Sequence, residues 1–217
     1  MIDFTLIWNS LPNLLHGTAV SLQITVIAAF IGLTLGSIFG LAENSKSALI
    51  SFAVGTYVTL FRGTPILIQI LFVYYVLPQF GIVIAPFWAA SLAIGLNSCA
   101  YISQVIRTGI SAVPKGQIEA AHTLGFTSIK TMRHIVFPQA FRVALPALGN
   151  ELITLVKDSS LASIIGVMEL SKEASIIRSR TYDAFSILLA VAIIYFILTT
   201  TLSFCLKKYE KRVNKHV

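Results

Sequence analysis

The chain has 217 residues, 56% of them hydrophobic and only 12% charged, with a mean hydropathy of +0.82. A water-soluble domain carries about 25% charged residues and could not hide so much apolar surface, so the solvent of this fold is lipid. The net charge of +7 does not point to nucleic acid, because the basic residues are scattered between apolar runs and form no continuous phosphate-binding face.

The N-terminus, MIDFTLIWNS, lacks a basic stretch and contains Asp3, so it does not read as a cleaved signal peptide. Phe4–Leu15 is apolar but interrupted by Pro12, which predicts a segment lying along the interface. A helix crossing the hydrocarbon core needs about 20 mostly apolar residues. Five segments qualify, at about 18–41, 51–77, 86–107, 141–168 and 183–206. They predict an all-α polytopic membrane protein, a single domain over 1–217. The first span carries Gly32, Gly36 and Gly40, a ridge that lets another helix approach closely, within the subunit or from a partner.

The second span contains Arg62 followed by Gly63, Thr64 and Pro65. This combination predicts a helix that breaks and restarts, with Thr64 as N-cap and Pro65 as the first residue of the new half. An ionisable group at that depth is costly, so Arg62 marks either a binding cavity or a structural ion pair with Glu151 or Asp158. Gln69 follows on the restarted half. The third span places Asn97 with Ser98, Tyr101 and Ser103, for lining a cavity or for hydrogen bonds between helices.

The only long linker is 108–140. Pro114 suits a helix start, KGQIEAAHTLGF follows, and Thr127 and Ser128 predict the cap of a second short helix ended by Pro138. The fourth span carries Asn150, Glu151, Thr154, Lys157, Asp158 and Ser160, which a 3.6-residue period gathers into one polar stripe that cannot face lipid. The fifth span ends in the basic tail KKYEKRVNKHV. With the N-terminus outside, eleven of the sixteen basic residues face the cytoplasm: Lys46, Arg107, four of the long linker and its exit, and five of the tail. Lys172, Arg178 and Arg180 lie outside, so the cytoplasmic side holds the positive excess that sets orientation. Cys99, Cys205 and the four histidines form no metal or redox motif.

Glu119, Ala120, Ala121, Gly125, Ile135 and Pro138, at their spacing, resemble the EAA loop of binding-protein-dependent ABC transporter permeases, with Phe137 in place of a leucine. FRGTPILIQ, GNELITLVKDSSL and LLHGTAVSLQIT are similar to the polar amino-acid permeases, the importers of histidine, glutamine, arginine and cystine. The resemblance runs from about Leu14 to Tyr209. It implies a type I importer fold in a bacterial inner membrane, with Glu119, Ala120, Ala121 and Gly125 in a helix that docks on the ATPase. It also implies a substrate site between these helices, for which Arg62, Gly63, Thr64, Gln69, Asn97, Glu151, Lys157, Asp158 and Ser160 are the candidates. The expected partners are a cytoplasmic ABC ATPase dimer, an extracytoplasmic substrate-binding protein and a second permease chain, identical or homologous. No GxxxxGK[ST] string is present, so no cofactor is expected in this chain, and ATP and Mg belong to the ATPase. An ion-coupled secondary transporter is the alternative, without the inverted repeat or carboxylate relay it would favour. A membrane enzyme would need a nucleophile–base or metal motif that the chain lacks.

Overall fold

The structure, a computed structural model, describes residues 2–43 and 47–214. Lys46, Lys215 and His216, which the sequence places on the cytoplasmic side, lie outside the described residues. Helix α1 (Phe4–Ala42) begins where the Asp3 carboxylate accepts the Leu6 N–H at 2.9 Å. It then runs unbroken through Pro12. The expected interfacial segment is therefore continuous with the helix of the first span. One N–H lost to proline is tolerated because the rest of the backbone ladder continues on either side. At 39 residues, α1 is about 58 Å long, well beyond the hydrocarbon core.

Helix α2 (Ala48–Gly63) stops at the Gly-Thr-Pro sequence, and α3 (Ile66–Leu71) restarts at an angle of 105° to it. A π turn (Phe72–Val76) and a 3-10 turn (Leu77–Phe80) extend α3 to a left-handed Gly81. Helix α4 (Pro86–Ser111) is the third span. In the long linker α5 (Lys115–Thr123) and α6 (Ser128–Thr131) follow, the latter capped by Thr127 accepting the Lys130 N–H. Pro138 does not end this second helix. A π turn (Met132–Val136) carries α6 directly into α7 (Phe137–Asp158), and Pro138 sits in the first turn of α7, where its missing N–H interrupts least.

A 3-10 segment (Ser159–Ile165) ends α7, so the fourth span is helical only to Asp158. The sequence reading has only a linker between the last two spans. There the structure has α8 (Leu170–Thr181), capped by the buried Glu169, and then α9 (Ala184–Asn214). Among the described residues three helices, α1, α4 and α9, are long and apolar enough to cross a membrane, and the bent α2–α3 pair makes a fourth candidate. Helix α7 is long enough at 22 residues, but Arg142, Glu151, Lys157 and Asp158 lower its hydropathy.

Packing follows the physics of lipid. Phe30, Phe52, Phe196 and Phe204 are each about 70% exposed, whereas Ser21, Ser91 and Ser103 are fully buried. Apolar side chains gain nothing by leaving lipid, so the interior collects small residues that allow close backbones and polar ones that find partners. The glycine ridge of α1 lies against α4, within the subunit: a Cβ at Gly36 would come within 2.8 Å of Ile102, and one at Gly40 within 2.6 Å of the Ser103 carbonyl. Helix α7 packs on α4 and α9, and α8 on α1 and α9. Glu43, at the end of α1, accepts from Gln104 at 2.7 Å and pairs with Arg107, tying the C-terminal ends of α1 and α4 together.

Candidate functional site

The break between α2 and α3 opens beside α4 and α7, and a cavity of about 530 Å³ lies between them. Arg62, Gly63, Thr64, Pro65 and Ile66 come from the break, Asn97 and Tyr101 from α4, and Glu151, Thr154 and Asp158 from α7. The volume is within the range of small-molecule sites.

Each wall has a local cause. Thr64 and Pro65 are extended, with ψ of 142° and 133°, and α3 proper begins at Ile66. Thr64 does not cap the new helix as expected. Its hydroxyl donates back to the Leu60 carbonyl at 2.9 Å, and Pro65 occupies the cap position. Arg62 projects from the last turn of α2 with its guanidinium carbon 5.4 Å from the centre of the Tyr101 ring. This is a cation–π arrangement. Among the described residues Arg62 forms no ion pair with Glu151 or Asp158. Glu151 is held by Ser98, whose hydroxyl donates to Oε1 at 2.8 Å, leaving the second carboxylate oxygen for a ligand. Asp158 lies two turns further along α7, at its end, on the same cavity.

Six of the nine candidate residues thus line one cavity: Arg62, Gly63, Thr64, Asn97, Glu151 and Asp158. Gln69 lies behind the break, on a separate apolar pocket of about 280 Å³, and its amide reaches Thr64, Phe61 and Asn97. Lys157 is exposed and Ser160 accepts from Ser163 through its carbonyl, and neither is on the cavity wall. The single stripe expected of α7 therefore divides. Glu151, Thr154 and Asp158, at steps of three and four, face the cavity, while Asn150 turns to a groove shared with Ser203, Lys207 and Glu210 of α9. Tyr101 and Thr154, which the sequence grouped with Asn97 and Glu151, also belong to the wall although neither carries a charge. The signal for them was helical phase, four residues after Asn97 and three after Glu151.

A second cavity of about 280 Å³ shares Arg62, Tyr101 and Glu151 with the first and continues along α4 and α7 past Gln104, Thr108 and Ala147. It leads toward the loop of α5 and α6. There Ala121 is buried, Glu119 and Ala120 are exposed, and Gly125 has φ of +81°. Leu124 and Ile129 are about 80% exposed on either side of that glycine, an apolar surface without cover among the described residues. No group of three or more His, Cys, Asp or Glu residues able to hold a metal occurs among the described residues.

The family model described as "Binding-protein-dependent transport system inner membrane component" matches residues 32–215. The chain is 39% identical over 216 residues to the arginine transport system permease protein ArtQ of Bacillus subtilis (strain 168), covering 99% of both chains. To the glutamine transport system permease protein GlnP of Escherichia coli (strain K12) it is 36% identical over 213 residues, 97% of each. The L-cystine transport system permease protein TcyB of Bacillus subtilis (strain 168) is 39% identical over 207 residues, 95% of this chain and 88% of TcyB. Among solved structures, a chain of an amino acid ABC transporter crystallised with histidines superposes with a TM-score of 0.92 at 40% identity, covering 98% of this chain and 99% of that one. The inward-facing MetNI methionine ABC transporter shares the fold, with a TM-score of 0.81 at 20% identity, covering 98% of this chain and 99% of that one.

Proposed function

The chain belongs to the family of binding-protein-dependent transport system inner membrane components, and from that premise we propose that it is the permease subunit of an ATP-driven amino-acid importer selective for cationic side chains. The whole of 1–217 acts as one permease domain, with 108–140 as its coupling loop. A cytoplasmic ABC ATPase dimer binds ATP and Mg, an extracytoplasmic binding protein delivers the amino acid, and a second permease chain completes the pathway. The N-terminus lies outside and the basic tail inside. A cysteine at Gln79 should then react with an impermeant reagent in intact cells, and labelling only after permeabilisation would reverse the topology.

The observation that carries the reading is the charge set of the cavity: one guanidinium, Arg62, against two carboxylates, Glu151 and Asp158. A free amino acid presents a carboxylate and an ammonium, which Arg62 and one of the acids match. The second acid is left over for a positive side chain, and Lys157, although next to Asp158 in sequence, lies off the wall. Because α3 proper has only six residues, carboxylate binding rests on Arg62 and not on a helix dipole. Buried carboxylate–guanidinium pairs are charge-assisted and directional, which suits discrimination in a site screened from water. The names of the relatives, which cover arginine, glutamine and cystine transport at similar identity, do not choose among side chains. An ion-coupled secondary transporter has no support in the family match.

ATP-driven closure would move the coupling loop and turn the cavity toward the cytoplasm. The passage past Gln104 and Thr108 supports that direction of exit. The test is uptake competition in wild type and Glu151→Gln. Glu151→Gln should lose arginine and lysine competition while retaining neutral amino acids. Equal loss of both classes makes Glu151 a ligand of the common ammonium, and competition by glutamate alone overturns the charge argument.

A further inference from the structure

A helix break leaves backbone carbonyls without donors, and here one is orphaned by sequence. In a continuous helix the Phe61 carbonyl would accept the N–H of residue 65, and residue 65 is proline. Two side-chain amides replace that N–H. Gln69 Nε2 donates to the Phe61 carbonyl at 2.8 Å, and Asn97 Nδ2 donates to it at 3.2 Å. Gln69 Nε2 also lies 2.8 Å from the Thr64 hydroxyl oxygen and 3.1 Å from the Thr64 carbonyl. Its Oε1 accepts from Asn97 Nδ2 at 3.0 Å. Every polar atom of the Gln69 amide is thus used inside the protein, and both N–H bonds of Asn97 are spent. Asn97 keeps only its carbonyl oxygen for the cavity it lines.

We infer that Gln69 is a positioning residue: its amide supplies the donor that Pro65 lacks and, locked to Asn97, holds the break so that Arg62 and Gly63 present to the cavity. The clamp spans both sides of the bend and the neighbouring α4, and the residue next to Phe61 is Arg62. The inference deepens the reading of the cavity as the substrate site and rests on it for its importance to transport, but the geometry of the break can be measured without substrate.

The experiment uses membranes containing the full chain with Cys99 and Cys205 changed to alanine and a reporter cysteine introduced by Gly63→Cys. A Cβ there meets nothing within 4 Å, which leaves room for the reporter. The reaction rate with a cationic methanethiosulfonate is measured from about pH 5 to pH 9 and divided by the rate with Gln69 intact at the same pH. Gln69→Leu, which has no donor, should change the rate about ten-fold or more at every pH. Gln69→Glu is the discriminating variant. Its carboxylate faces the Phe61 and Thr64 carbonyls without a proton to donate, so the rate should depart from the reference at high pH. Protonation restores one O–H donor, so the ratio should return toward one as pH falls. A residue that merely fills space would give no such pH profile. Rates within two-fold of the reference for Gln69→Glu across the range overturn the inference, as does a departure that persists unchanged at low pH. If Gln69→Leu fails to accumulate, the Gln69→Glu profile still decides. Millimolar L-arginine or L-glutamine is added to the chain with Gln69 intact in a separate arm. Failure of both to slow the labelling sinks the substrate-site reading and leaves the positioning result standing.

Discussion

Gly36→Ala tests whether the α1–α4 seam is as tight as its geometry states. The added Cβ would sit 2.8 Å from both Cβ and Cγ2 of Ile102 and 2.9 Å from the Cys99 carbonyl oxygen. Carbon atoms pack best at about 3.5–4.0 Å, so the seam must open by roughly 0.7 Å. Neither a Cβ nor a backbone oxygen can swing aside, so the helices themselves must separate, at the cost of about 1–3 kcal/mol typical of overpacking. Alanine gains about 1 kcal/mol over glycine in a helix, and this must be subtracted. Gly55→Ala isolates that gain, because a Cβ at Gly55 on α2 meets nothing within 4 Å. The two variants should therefore differ by about 1–3 kcal/mol, with Gly36→Ala the less stable. For a chain of this length that corresponds to roughly 2–12 °C in unfolding midpoint. The assay is monodispersity after heating in one detergent at one scan rate, since membrane proteins commonly unfold irreversibly and only like conditions compare. A Gly36→Ala midpoint equal to or above that of Gly55→Ala would refute the seam as described.

Three further outcomes are expected. Gly125→Val places a β-branched residue at φ of +81°, at a backbone cost of about 1–2 kcal/mol; the chain should insert normally yet lose copurification of the ATPase, and full transport would reduce the loop to a linker. Glu169→Ala removes the acceptor of the Ser171 and Lys172 N–H groups and of the Ser21 hydroxyl and should destabilise by about 2–4 kcal/mol, whereas Glu169→Gln, which keeps an acceptor, should recover most of the loss in the same thermal assay. Asp183, at the head of α9, is held below the usual carboxylate range by hydrogen bonds from Ser186, its hydroxyl first and its N–H second. A lowered folded value means the charged form stabilises, so the midpoint gap between wild type and Asp183→Asn should be full above about pH 4 and close as pH falls through the lowered value; a gap that widens toward acid would reverse the sign.

The amino-acid sequence by itself determined the solvent, the helical class and the family. A 12% charged chain with long apolar runs has no other stable arrangement than helices in lipid. Gly63-Thr64-Pro65 announced the break because two weak helix formers stand beside a proline that removes a donor, whereas Pro12 alone leaves α1 unbroken. Glu119, Ala120, Ala121 and Gly125 announced the loop of α5 and α6 by their resemblance to the EAA loop of the family. What the sequence left open was every question of which neighbour a face meets. The glycines of α1 could have faced a partner chain, and the structure turns them to α4. Glu151 and Asn150 are adjacent in sequence yet face different cavities, because successive residues of a helix point about 100° apart. Lys157 falls off the wall for the same reason, and Gln69 is drawn into the clamp by Asn97, twenty-eight residues away. Helical period fixes which side chains share a face, but the rotation of that face is set by the helices it packs against. In lipid, where burying an apolar side chain brings no gain, close backbone contact and polar partners make that choice, and those partners come from other parts of the chain.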